Sequence, residues 1–186
     1  LTSHWGYDAG FDTFEPFVAS VGSSIYSRYL ATHPTVEAWV QLATSPLRRV
    51  KSWLSGDADD RPFLDTSRMF AVEAGATEFI EARQHDDQPF FLWIHYMDPH
   101  TPYVPAPRYI RQVSDDVVGT HRMLRAHART ALGREVGPQT LADLRMLYQA
   151  AVTQVDASIG RLLETLSATG HDDDTAVIVA GDHGEE

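Results

Sequence analysis

The residues of this chain best suited to chemistry lie in two short stretches. In "IVAGDHGEE", Asp182 and His183 come directly after the apolar run Val177, Ile178, Val179 and Ala180. An acid and an imidazole on a glycine-flanked turn, where backbone can approach a ligand closely, can offer carboxylate oxygens and one ring nitrogen to a divalent cation. Two residues do not complete such a site, since calcium takes roughly 6–8 oxygens and magnesium about six donors, so further ligands have to come from elsewhere. The plainer alternative is an aspartate capping a turn with an exposed histidine beside it. Position favours the metal reading, because in open α/β sheets ligands bind outside the carboxyl ends of the strands.

The second stretch is "DPHTPY", where His100 follows the aromatic run "PFFLWIHYM" by three residues and is braced by Pro99 and Pro102. A fixed imidazole can hydrogen-bond an oxyanion when charged, or pass a proton to a leaving group, which is worth about 10²–10⁴-fold in rate. The alternative is a loop histidine without consequence; a second strand tip beside it favours the functional reading. Asp98 either orients His100 or caps the turn. His95, inside the run, is expected to be a satisfied core histidine, and Asp156, flanked by Val152 and Ile159, to be structural.

These residues need elements to position them. "PFFLWIHYM" is too short for a core helix and too aromatic for a loop, so Phe90 to Met97 reads as a buried strand. Val177 to Ala180 is a second, covered on both faces as in a parallel sheet. The four prolines of "DPHTPYVPAPRYI" forbid regular structure between Asp98 and Ile110. From Pro138 to Ala168, Leu141, Leu144, Tyr148, Ala151, Val152, Val155, Ile159, Leu162 and Leu166 recur at helical spacing. Pro138 near its start and Gly170 after its end suit a helix. Further helices are expected from about Thr66 to Arg83, with Phe70, Ala74, Phe79 and Ile80 inward and Thr66 or Ser67 as cap, and over Ser114–Arg134, exposed. Another is expected from Pro34 to about Leu54, broken at Pro46. Residues 1–33 read as loop with at most a short strand, and "SGDADDRP" as a solvated linker. Strand, crossover helix and strand make a right-handed βαβ unit, which brings "MDPHTPY" and "GDHGEE" to one sheet edge.

Composition narrows the classes. The chain has 186 residues, 43% of them apolar, as a globular domain requires. Its net charge of −11, with Lys51 the only lysine, excludes a basic nucleic-acid footprint, so no nucleic-acid partner is expected. The acidic, lysine-poor composition also fits a protein kept soluble in high salt. No cysteine is present, which removes disulfides, zinc–thiolate sites and a cysteine nucleophile from these residues. No stretch reaches the roughly 20 apolar residues of a membrane span. Leu1 is not a methionine and the chain stops inside a charged motif, so it reads as a piece of a longer protein. A missing leader is then uninformative, and the compartment stays open.

Three segments together resemble the sulfatase branch of the alkaline phosphatase-like superfamily. "GYDAGFDTF" resembles the family's G-F-D-x-F stretch, "PFFLWIHYMDPHTPY" its strand ending in D-P-H-x-P-Y, and Tyr148–Glu186 its helix, strand and terminal D-H-G-E segment. The resemblance implies an α/β fold: a partial alkaline phosphatase-like three-layer sandwich with a mostly parallel sheet. Residues 1–186 would be one partial domain, with 1–65 a loop- and helix-rich lead-in and 66–186 a helix-strand-helix-strand core. It implies hydrolysis of a small-molecule or glycan sulfate ester with one divalent cation, calcium or magnesium, sometimes manganese. Asp182 and His183 match its metal ligands; His100 matches the histidine that contacts the sulfate or assists the leaving group. Histidine is softer than calcium prefers, which leaves room for manganese.

The family places an aspartate pair and a formylglycine, made from cysteine or serine in C/S-x-P-S-R, upstream of the G-F-D-x-F stretch. Thr44–Arg48, "TSPLR", loosely fits that pattern but lies downstream. The nucleophile, the first metal aspartates and a lysine beyond D-H-G are therefore expected outside these residues, and the isolated chain is expected to be inactive. Two alternatives share the motifs: a phosphate or phosphonate ester hydrolase or phosphotransferase of the same superfamily, and a non-catalytic interaction module that retains the metal pair. The exposed strand edges of a partial sheet are expected to make the chain self-associate.

Overall fold

The computed structural model describes residues 6–15, 69–86, 88–115, 120–131 and 133–184. Four helices organise them: α1 Met69–Glu81, α2 Pro107–Val113, α3 Thr120–Ala131 and α4 Pro138–Ala168. The expected helix over 34–54, the Thr66/Ser67 cap, the linker and "TSPLR" lie outside the described residues.

The long helix α4 is the hub, touching each of the other three. Its ends obey the local chemistry of the sequence. Gly137 is the N-cap with Pro138 in the first turn, where proline's missing N–H costs nothing. At the other end Gly170 takes φ +80°, and the N–H of His171 reaches back to the carbonyl of Leu166 at 2.9 Å. That left-handed residue and six-to-one bond are a Schellman stop, which glycine adopts without a Cβ penalty.

Two apolar clusters lie along α4. Near its start, Leu147 and Ala150 pack with Tyr103, Ala106, Tyr109 and Ile110. Near its end, Leu162 and Leu166 pack with Ala76 and Ile80 of α1 and with Phe90, Leu92, Ile94 and Tyr96. The buried stripe is rotated from the one the periodicity predicts. Asp143, Gln154 and Ser158 are buried, whereas Leu141 and Val152 are exposed. Each buried polar group has a hydrogen-bond partner, so burial costs it little, and a hydrophobicity count passes over such positions. On α1, Ile80 is inward as expected but Ala74 is exposed and Ala76 buried instead.

Residues 90–97 alternate strictly: Phe90, Leu92, Ile94 and Tyr96 are half-buried against the helices, while Phe91, Trp93, His95 and Met97 are exposed. A period of two is the signature of extended backbone. Among the described residues, however, no strand ladder forms, either here or at 177–180. The expected parallel sheet is thus represented by one helical layer and an extended segment lying on it. His95 is exposed on the outer face, which corrects its assignment to the core.

Two further corrections concern helices. Pro107 does not end regular structure but opens α2, since proline suits a first helical turn. Helix α3 is not simply exposed: Ala126 and His127 are buried, and Arg122 Nε donates to Asp143 Oδ2 at 3.2 Å.

Candidate functional site

His100 lies in the turn after the extended segment, and its N–H donates to the carbonyl of Met97 at 2.9 Å. Its ring is exposed, with Nδ1 2.7 Å from the carbonyl of Thr101. A carbonyl only accepts, so Nδ1 carries the proton and Nε2 is left to exchange one with a ligand.

The backbone on both sides of this turn is tied to the helices. Before it, the Tyr96 hydroxyl lies 2.9 Å from Ser158 Oγ, and Ser158 donates to Glu73 Oε2 at 2.6 Å. Since the single hydroxyl hydrogen of Ser158 goes to the carboxylate, Tyr96 must be the donor to Ser158. Arg161 completes the chain, with Nη2 2.7 Å from Glu73 Oε2. Burial pushes Glu73 upward, but hydrogen bonds from Arg161 and Ser158 outweigh it and hold the carboxyl below its usual range. Burial likewise raises the Tyr96 hydroxyl, which stays a neutral donor.

After the turn, the N–H of Ala106 donates to Gln154 Oε1 at 2.8 Å. His127 Nε2 donates to the carbonyl of Tyr103 at 3.1 Å. The Tyr103 ring is held edge-on between His127 and Tyr148, 5.5 Å from each by ring centroid. Sequence reasoning singled out none of Glu73, His127, Gln154, Ser158 or Arg161. The signal available was polar residues spaced three, four and seven apart along one side of the helix, in line with Leu147 and Ala151: Gln154, Ser158 and Arg161.

Asp182 and His183 are exposed, as is every residue from Ala176 to Gly184. Asp182 Oδ1 accepts the N–H of His183 at 2.9 Å, and His183 Nδ1 donates to the carbonyl of Gly184 at 2.8 Å. That bond fixes the tautomer with the proton on Nδ1, the form in which a histidine binds a metal through Nε2. Nε2 stands 3.7 Å from Asp182 Oδ2. Two donors bound at about 2.0–2.5 Å to one ion can be that far apart, so the pair fits as part of a coordination sphere. Among the described residues no group of three or more His, Asp or Glu could hold a metal ion by itself.

The "GFDTF" stretch touches the outer face of the extended segment: the Phe11 and Phe91 rings are 5.9 Å apart. The three motif segments are therefore attached to one frame to different degrees. His100 is held by the helices, Phe11 lies over the segment that leads to it, and Asp182–His183 follow the segment that leaves α4.

Comparison with known proteins places the sequence in a family with an alkaline phosphatase-like α/β fold. The sulfatase family pattern matches residues 4–186, and the chain belongs to that family. It is 27% identical over 158 residues to the multifunctional alkaline phosphatase superfamily protein PehA of Trinickia caryophylli, covering 69% of this chain and 30% of that protein. Over 119 residues it is 29% identical to an ulvan-active sulfatase of Formosa agariphila, covering 62% of this chain and 21% of the other. An endo-4-O-sulfatase of Bacteroides thetaiotaomicron is 32% identical over 105 residues, 53% of this chain and 18% of that protein. The chain thus spans less than a third of the length of these curated relatives. No solved structure matches it. Family membership implies an alkaline phosphatase-like α/β fold, and sulfatases generally use a divalent cation and a formylglycine.

Proposed function

We propose that residues 1–186 form one partial α/β domain of an enzyme that hydrolyses the sulfate ester of a small molecule or glycan. His100 is its proton-transfer or sulfate-contacting residue, and Asp182 with His183 supplies part of the site for one divalent cation. The observation that carries the reading is the tautomer shared by both motifs. His100 and His183 each give Nδ1–H to a backbone carbonyl one residue on, at 2.7 and 2.8 Å. At His183 this is the tautomer that binds a metal through Nε2. At His100 it presents an Nε2 that can hold a proton for the leaving oxygen.

A bound cation, calcium, magnesium or manganese, would supply charge to the sulfate oxygens. Asp182 brings a hard carboxylate oxygen and His183 the softer nitrogen that admits manganese. Convergence of the two motifs is part of the proposal and requires 90–97 and 175–180 to run the same way along α4. Phe90 packs edge-on with His171 beyond the end of α4, and Tyr96 bonds Ser158 further back, so 90–97 runs opposite to α4. The proposal has 175–180 run back along α4 as well after the turn at Gly170, which sets both motifs at tips pointing the same way.

The nucleophile is proposed to be a formylglycine outside these residues, so the 186-residue chain alone should not turn over an aryl sulfate. In the enzyme that contains it, His100→Ala should lower kcat on an aryl sulfate by about 10²–10⁴-fold. Undiminished turnover in that variant would sink the assignment. A phosphate or phosphonate ester as substrate is the second reading, supported by the match to PehA; the ratio of aryl sulfate to aryl phosphate turnover separates the two. Outside a longer chain, the exposed Phe91, Trp93 and Val177–Val179 should pair with a second copy.

A further inference from the structure

We infer that His127 is a positioning residue for His100: it fixes the backbone of the "DPHTPY" loop through Tyr103. The inference rests on the proposed role of His100, but its geometry stands apart from it. His127 is only 3% exposed and Tyr103 8%. The imidazole does two things at once. Nε2–H donates to the Tyr103 carbonyl at 3.1 Å, and the ring meets the Tyr103 ring at 65°, with Tyr148 closing the other side at 69°. A buried ring with a hydrogen-bonded edge and a packed face has one orientation, so the carbonyl three residues after His100 has one position.

The Ala106 N–H, bonded to Gln154, continues the same restraint, and Tyr96 supplies the matching one upstream. The six residues between Tyr96 and Tyr103 therefore span two fixed points. A polar side chain at a buried helical position is costly unless its partner repays it, and here the partner is a motif backbone group rather than another helix. Burial lowers the pKa of His127, so it is the neutral, Nε2–H form that makes the bond.

The test is NMR of the longer protein that contains these residues, labelled in its histidine rings, with the His100 line assigned by its loss in His100→Ala. The wild-type His127 ring should show its proton on Nε2, and His100 should give one narrow line. His127→Phe keeps an aromatic ring but loses the donor; it should broaden the His100 line by roughly twofold or split it, because the loop then exchanges between positions. The line of His171, bonded to the Arg83 carbonyl in the other cluster, should not change. His127→Gln, which carries a donor of similar reach, should restore the narrow line. An unchanged His100 line in His127→Phe overturns the inference, as does a wild-type His127 protonated on Nδ1. That second reading decides the matter alone if His127→Phe does not fold. Because no turnover is measured, an ordered His100 in an enzyme inactive on sulfate esters would sink the proposed function and leave the positioning intact.

Discussion

The His100 loop and the Asp182–His183 turn solve the same local problem and differ in everything beyond it. Each fixes its imidazole by an Nδ1–H bond to the next residue's carbonyl. The backbone around His100 is in addition tied to α1, α3 and α4 through Tyr96, Tyr103 and Ala106, two of them buried. From Ala176 to Gly184 every residue is exposed. Neighbouring residues can thus set a tautomer, whereas the position of a reactive nitrogen needs partners far along the chain. The helical layer supplies these for His100.

The largest test of that contrast is removal of the packing under the held loop. Leu147 is fully buried among Tyr103, Ala106, Tyr109 and Ile110. Leu147→Ala should cost about 2–5 kcal/mol in urea denaturation, the range for a leucine cavity. A loss well under 1 kcal/mol would mean that this cluster does not hold the loop. Next in size is Gln154→Leu, nearly isosteric, which deprives the Ala106 N–H of its acceptor. A buried donor left unsatisfied costs about 1–3 kcal/mol. Hydrogen exchange at Ala106 should quicken strongly while that at Leu162 quickens only by the global loss of stability; equal changes at both would deny a local tie.

The contrast also explains what the sequence disclosed. Helix α4 was legible to the residue, because a proline start, a glycine stop and a sustained apolar period are local signals. The extended course of 90–97 was legible from its length and aromatic content, but the burial expected of it was not met, since Phe91, Trp93 and Met97 are exposed, and no strand pairing was found among the described residues. Both candidate histidines were picked out by motif and position, and their roles are the proposal made above. The groups that hold His100 were not: Glu73 meets Ser158 from 85 residues away and Gln154 meets Ala106 from 48. Polar residues on a helix carry no mark that says whether a distant partner will satisfy them. Pro107 misled for the opposite reason, since proline breaks a helix interior but opens a first turn.

The held side should also carry the pH dependence of stability. Burial, partly offset by the bond to the Tyr103 carbonyl, lowers the His127 pKa from 6.5. Below 6.5 the unfolded imidazole takes a proton that the folded one resists. Stability present above that value is therefore lost as pH falls through the lowered folded value. Glu73, lowered from 4.5, adds a second loss of the same sign at more acid pH. Melting temperature should fall in two steps on acidification, with His127→Phe abolishing the first and Glu73→Gln the second. A first step that survives in His127→Phe would assign it to another histidine.

The smallest effect on stability should come from the open side. Ile178 is 89% exposed and Val179 70%. Removing an exposed side chain uncovers no cavity and orphans no polar group, so Ile178→Ser should shift folding stability by no more than about 0.5 kcal/mol. Its consequence should appear in association instead. An exposed apolar run invites pairing with a second copy, and a polar residue at its centre weakens that pairing. Light scattering at high protein concentration should show oligomers for the wild-type chain and a mass shifted toward monomer for Ile178→Ser at unchanged melting temperature. A wild-type chain that stays monomeric would remove self-association from the account. A large fall in melting temperature would show that Ile178 is packed in solution, and the contrast between a held loop and an open turn would then fail on its open side.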